Sequence, residues 1–324
     1  MPTEDAYLDR VLTMEVGRCT EAAAIAASRM IGRGDKDGAD QAAVSALREA
    51  FNKLEIDGTV VIGEGERDEA PMLYIGEKVG SGRGPKVDIA LDPLEGTTLT
   101  AKAMANALAV VAMAQDGTLL NAPDTYMDKI AIGPGYPPGV VDLDASVEDN
   151  IANLAAAKGV EPGEITLCIL DRERHEGLIA GARKIGARIF LIPDGDVAGV
   201  FHTTDPATGI DMYVGRGGAP EGVLAAAALR CVGGQMQARL HFRNDDERAR
   251  ATRLGLTDFD RKYDLRELAS GDVIFAATGV TNGSMLDGVR WEPKFVHTHT
   301  VVMRSKTGTI RYIRAKSPRS THSW

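Results

Sequence analysis

The sequence predicts an α/β protein built as two units around mixed or parallel sheets. Three observations carry that reading. The chain has 324 residues, enough for two domains or one large α/β unit with a full core. Short β-branched runs alternate with helix-period segments in both halves. Finally, 36 glycines against 5% aromatic residues describe a chain rich in turns, with helices packed through alanine.

The elements follow in chain order. Leu8, Val11, Leu12, Cys19, Ala22, Ala23, Ala26 and Met30 recur at three- and four-residue steps, which predicts a long first helix stopped by Gly32-Arg33-Gly34. Asp35, Asp37 and Asp40 form an acidic loop before a second helix, whose stripe is Ala43, Leu47, Phe51 and Leu54. Residues 59–62 read as a buried strand ending at Gly63-Glu64-Gly65, and residues 87–91 as another, cut off by Asp92-Pro93. Residues 108–114, Asp116-Gly117 and residues 118–120 predict a hairpin. Gly135-Tyr136-Pro137-Pro138-Gly139 breaks regular structure, so the boundary is expected there, dividing 1–142 from 143–324. Ser146 then caps a helix that Gly159 ends. Strands at 165–170, 188–192, 210–214 and 273–278 alternate with helices, including one over 220–232 with Pro at its first turn. Residues 295–303 and 310–315 predict a closing hairpin.

Composition limits the function. A net charge of -9 argues against nucleic acid or an anionic membrane as partner, since both demand clustered cations. The longest apolar stretch, 103–114, is too short to span a bilayer, and the acidic start has the wrong sign for a signal peptide. Cys19, Cys168 and Cys231 show no zinc or disulfide spacing, and three core thiols suit a reducing cytoplasm. His175 is expected at a helix start on the surface, and Arg216-Gly217-Gly218 in an anion-facing turn.

Chemistry is expected where acidic residues follow strand ends. Glu64 and Asp92 each come just after an apolar run, at the carboxyl ends where ligands of α/β sheets bind. One acidic loop alone is ordinarily a solvated turn. Several carboxylates in one crevice repel unless cations neutralise them, and hard divalent ions such as Mg²⁺ or Mn²⁺ suit oxygen ligands. In Asp92-Pro93-Leu94-Glu95-Gly96-Thr97 two carboxylates bracket a rigid turn. Gly96 permits close backbone approach, and Thr97 opens a helix whose N–H groups suit a phosphate. Paired metals favour phosphate-ester hydrolysis.

That segment resembles the metal signature of the lithium-sensitive sugar and inositol phosphatase superfamily. Four further strings sit around it: Gly32-Arg33-Gly34-Asp35-Lys36, Ile62-Gly63-Glu64-Gly65-Glu66, Asp68-Glu69-Ala70-Pro71-Met72-Leu73-Tyr74 and Asn121-Ala122-Pro123-Asp124. With Gly217-Gly218-Ala219-Pro220-Glu221-Gly222 they make the chain similar to bacterial class II fructose-1,6-bisphosphatases through nearly its whole length. The resemblance implies a layered α/β/α/β/α fold with two mixed sheets and a homo-oligomer, dimer or tetramer. It implies hydrolysis of the 1-phosphate of fructose 1,6-bisphosphate by a metal-activated water, in gluconeogenesis. Asp40, Glu64, Asp92, Glu95 and Glu221 would hold Mn²⁺ or Mg²⁺, and Asp68 and Thr97 would orient the water. Glu95, Gly96, Thr97, Tyr126, Arg172, Glu173, Arg174, Asp194, Gly195, Asp196 and Gly218 would touch substrate. Asp37-Gly38 departs from the family's loop, which leaves ligation by Asp37 open. Sedoheptulose 1,7-bisphosphate, alone or as a second substrate, and a non-catalytic sugar-phosphate-binding subunit remain the alternatives.

Overall fold

A computed structural model of the chain describes residues 11–65 and 72–322. Two compact units divide it, one made of residues 1–119 and 271–324 and the other of residues 120–270.

The first unit opens with α1 (Leu12–Ser28) and α2 (Lys36–Phe51). Asp35 caps α2 by accepting from the Gly38 N–H at 2.9 Å, and a Cβ at Gly38 would meet that carboxylate at 2.3 Å. Asp37 and Asp40 therefore lie within the helix and not in a loop ahead of it. Next come β1 (Asp57–Ile62), β2 (Lys78–Val79), β3 (Lys86–Glu95), the single-turn α3 (Thr97–Ala101) and β4 (Leu108–Gln115). Asp92-Pro93 does not end β3. Its pairing with β1 stops at Ala90, and its register against β4 shifts between Asp92 and Glu95, so Pro93 occupies a bulge that needs no ladder N–H. The expected hairpin at 118–120 does not form either. The N–H groups of Thr118 and Leu119 donate to the buried Asp88 carboxylate at 2.8 and 3.1 Å, and the chain leaves the unit there.

The second unit contains β5 (Tyr126–Ile132), α4 (Val147–Lys158), β6 (Thr166–Leu170), α5 (Glu176–Lys184), β7 (Arg188–Ile192) and α6 (Asp196–His202). It continues with β8 (Met212–Gly218), α7 (Ala219–Val232), β9 (Gln235–His241), α8 (Asp245–Arg253), β10 (Tyr263–Asp264) and α9 (Leu265–Leu268). The chain then returns to the first unit with β11 (Val273–Gly279), β12 (Arg290–Trp291), β13 (Phe295–Arg304) and β14 (Thr309–Pro318). This return explains why the division differs from the expected boundary after residue 142. The Pro-rich break at 135–139 lies inside the second unit, while β11 pairs with β4 across 157 residues of chain that separate Gln115 from Val273 in sequence.

Both sheets are mixed, as expected. The eight-stranded sheet runs β12-β13-β11-β4-β3-β1-β2 with β14 on β13, and only β1 and β3 are parallel neighbours among its pairs. Leu12, Val16, Leu47 and Phe51 of its helices pack on Val60, Ile89, Val111 and Ile274. The six-stranded sheet runs β10-β9-β5-β8-β6-β7 and is covered on both faces. Ile130, Leu167 and Val214 pack with Ile151, Leu154 and Ile179 of α4 and α5. On the other face Met127 and Tyr213 are so close to α7 and α6 that a Cβ at Gly222 or Gly199 would strike them at 2.4 and 3.0 Å.

Candidate active site

In the first unit the parallel pairing of β1 and β3 sets their carboxyl ends side by side. Glu64 follows β1, and the bulged end of β3 carries Asp92 and Glu95. Carboxylate oxygens of these two lie within 4.8 Å of each other, and Glu95 is buried. Helix α2 packs on β3 and α3 and brings in Asp40, whose carboxyl shares a hydrogen bond with Glu64. Burial pushes the Asp40 carboxyl above its ordinary range, the Glu64 hydrogen bond opposes this, and the charge of Asp37 adds to it. A hydrogen bond between two carboxyls needs a proton, and a divalent ion can take that proton's place. These oxygen donors fit a hard cation.

Gly96 holds φ at +87° to turn β3 into α3, where a Cβ would strike Leu99 Cδ1 at 2.7 Å. Thr97 opens α3 as expected, but the helix is only five residues long, so it offers one turn and not an extended dipole. Lys36 is exposed at the start of α2, and Asp68 lies outside the described residues.

The second unit contains a cavity of about 340 Å³. Tyr126, Arg172, Arg174, Asp194, Gly195, Asp196, Gly218 and Glu221, all singled out from sequence, line it. Glu173 is exposed between its two arginines and does not line it. A Cβ at Gly217 would sit 1.9 Å from Asp196, and one at Gly218 1.9 Å from Glu221, so these glycines make room for the two carboxylates. Asp196 is buried and accepts from the fully buried Lys129 ammonium, which also donates to the Gly218 carbonyl at 2.7 Å.

The chain matches the family described as bacterial fructose-1,6-bisphosphatase, glpX-encoded, over residues 10–317. It is 47% identical over 320 residues to fructose-1,6-bisphosphatase 1 class 2 of Escherichia coli (strain K12), covering 94% of this chain and 95% of that one. The chain belongs to the glpX-type bacterial fructose-1,6-bisphosphatase family. Class 2 fructose-1,6-bisphosphatases of Escherichia coli O6:H1 and Shigella flexneri are equally similar, at 47%.

Against the family's chemistry, two expectations need correction. His175 is buried, at 1% exposure, and not a surface residue. Its Nδ1 lies 2.7 Å from the Leu170 carbonyl, so Nε2 is the acceptor for the Arg216 N–H at 2.8 Å. Burial holds its pKa below the ordinary value. Arg216 belongs to β8 and not to an anion-facing turn, and its guanidinium pairs with Asp128 at 2.7 Å. The Arg216 carbonyl in turn receives Arg174 Nε and Nη2 at 3.1 and 2.8 Å.

Sequence reading missed Lys129 and Arg243. Lys129 stands in the apolar strand Tyr126–Ile132, where a lone lysine signals a buried partner. Arg243 lines the cavity and pairs with the buried Glu247. Its signal is Arg243-Asn244 followed by Glu247, a cation just before a helix cap with a carboxylate four residues on.

Proposed function

We propose that the chain releases the 1-phosphate of fructose 1,6-bisphosphate, leaving fructose 6-phosphate. In this reading the carboxylates of the first unit hold Mn²⁺ or Mg²⁺, and the guanidiniums of the second hold the other phosphate. The observation that carries the reading is the membership of the glpX-type family over residues 10–317, joined to an acidic set that fits hard cations. Bound there, such cations supply positive charge against phosphoryl oxygens and bring the pKa of water toward neutrality. Asp40, Glu64, Asp92 and Glu95 are the holding groups, with Glu221 as the fifth. The Thr97 hydroxyl and Asp68 orient the attacking water, and the departing alkoxide takes its proton from solvent or a nearby acid. Tyr126, Arg172, Arg174 and the segment Asp194-Gly195-Asp196 position the sugar, with Glu173 and Gly218 beside them. A cytoplasmic homo-oligomer, dimer or tetramer, belongs to the same reading. The three buried free thiols suit the reducing compartment of that reading.

The test is phosphate release with Mn²⁺ from fructose 1,6-bisphosphate, sedoheptulose 1,7-bisphosphate and fructose 1-phosphate. Release that stops on chelation and returns with metal is expected, and release from none of them overturns the reading. Arg174→Ala should lower kcat/KM for fructose 1,6-bisphosphate by roughly 10- to 100-fold, the scale of one charged hydrogen-bonded pair. It should scarcely change that for fructose 1-phosphate. Equal losses would assign Arg174 to the reacting end or the fold.

A further inference from the structure

Arg174 is not the only guanidinium built into the second unit's cavity. Arg243 lines the same space, and it is held in a parallel way. Arg174 gives Nε and Nη2 to one oxygen, the Arg216 carbonyl. Arg243 gives Nε and Nη2 to one oxygen, Oε1 of Glu247. In both residues the Nη1 side lies outside those contacts.

Tyr126 relates the two. Each guanidinium carbon lies 4.9 Å from the centroid of its ring, so the two carbons are separated by no more than twice that distance. Stacking on one aromatic ring also offsets part of the repulsion between the two cations. The Glu247 end is rigid, because Glu247 is buried and accepts from Thr125 Oγ1 and from the Arg243 N–H, both at 2.7 Å. Arg243 is thus oriented before any ligand arrives, and a phosphate with three terminal oxygens can accept from two forks at once.

Resting on the substrate reading above, we propose that Arg243 is a specificity-determining residue. With Arg174, which shares the Tyr126 ring, it clamps the phosphate that is not cleaved, and so selects sugar bisphosphates over sugar 1-phosphates that lack it. The product keeps that phosphate, so fructose 6-phosphate binds the same clamp.

The test compares the wild-type enzyme with Arg243→Gln and Arg243→Lys. Titration calorimetry measures fructose 6-phosphate binding, and initial rates give kcat/KM for fructose 1,6-bisphosphate and fructose 1-phosphate. Arg243→Gln should weaken fructose 6-phosphate binding by about 10- to 100-fold and lower the bisphosphate-to-monophosphate ratio of kcat/KM by the same factor. Arg243→Lys, which keeps the charge without the fork, should recover part of each loss. Unchanged fructose 6-phosphate affinity in a folded Arg243→Gln protein overturns the proposal, as does an unchanged ratio. If Arg243→Gln does not fold, Arg243→Lys decides by the same two readouts. Wild-type protein that releases phosphate from neither fructose 1,6-bisphosphate nor fructose 1-phosphate would instead fail the functional reading itself. A normal Arg174→Ala response beside an inert Arg243 would fail this inference alone.

Discussion

In the first unit carboxylate meets carboxylate: Asp40 shares a hydrogen bond with Glu64, and oxygens of Asp92 and Glu95 lie within 4.8 Å. In the second, Asp196 meets Lys129, Asp128 meets Arg216 and Glu247 meets Arg243. Like charges brought together in a folded chain need a proton or an added cation between them. Opposite charges neutralise one another within the chain and can be oriented by folding alone. The first unit's site is therefore completed from outside, and the second unit's cavity is preorganised from within.

The sharpest way to break this contrast is Asp92→Asn, which keeps the shape and removes one charge. Phosphate release at saturating Mn²⁺ should fall by orders of magnitude while the fold survives. Added Mn²⁺ should raise the melting temperature of the wild type more than that of the variant. Near-normal turnover in the purified variant would remove Asp92 from the metal set.

Lys129→Met attacks the other side of the comparison. It leaves Asp196 buried without its cation, which should cost roughly 3–5 kcal/mol in denaturant unfolding, the scale for breaking a buried pair. Adding Asp196→Asn should restore much of the loss. A single variant as stable as wild type would show that the pair does not organise the cavity.

Acid should act more strongly on the second unit, because in the first the lowered pKa of His299 is opposed by the raised pKa of Asp40. Burial pushes the His202 pKa down to about 4, and burial also lowers that of His175, both in the second unit. Between the ordinary value of 6.5 and about 4 the unfolded chain binds more protons than the folded one at His202, so stability falls as pH drops through that window. The His202 contribution is on the order of 3 kcal/mol. Asp40 in the first unit is raised, burial being the main cause, so the folded state holds the extra proton above the ordinary 3.8 and acid favours it. Hydrogen exchange resolved by unit at pH 7 and pH 5 should show protection lost in residues 120–270 first. Equal loss in both units would contradict the contrast.

The smallest effect is expected at Thr97→Ala, about tenfold in kcat with less change in KM, the scale of one hydrogen bond made in the transition state. A change confined to KM would make Thr97 a substrate contact.

Glu64 and Asp92 stood out because each comes just after an apolar run, whereas Asp40 is carried by α2 and joins them only through packing. Asp92-Pro93 was legible as a special turn but not as a bulge. Whether proline ends a strand depends on which neighbours demand its N–H, and pairing with β1 has already stopped at Ala90. His175 and Arg216 were misplaced for a related reason. Nothing local tells that an imidazole five residues past a strand will fold back to the Leu170 carbonyl and meet the Arg216 peptide of β8.

By itself the sequence determined the alternation of strands and helices, the caps at Ser146 and Gly159, and the order of the acidic motifs, because these depend on residues a few positions apart. Only the tertiary structure decided that residues 271–324 rejoin the first unit, that Lys129 is buried against Asp196, and that Arg243 shares Tyr126 with Arg174. Those contacts join residues tens to hundreds of positions apart. Strand pairing and burial of charge, which no local pattern encodes, select them.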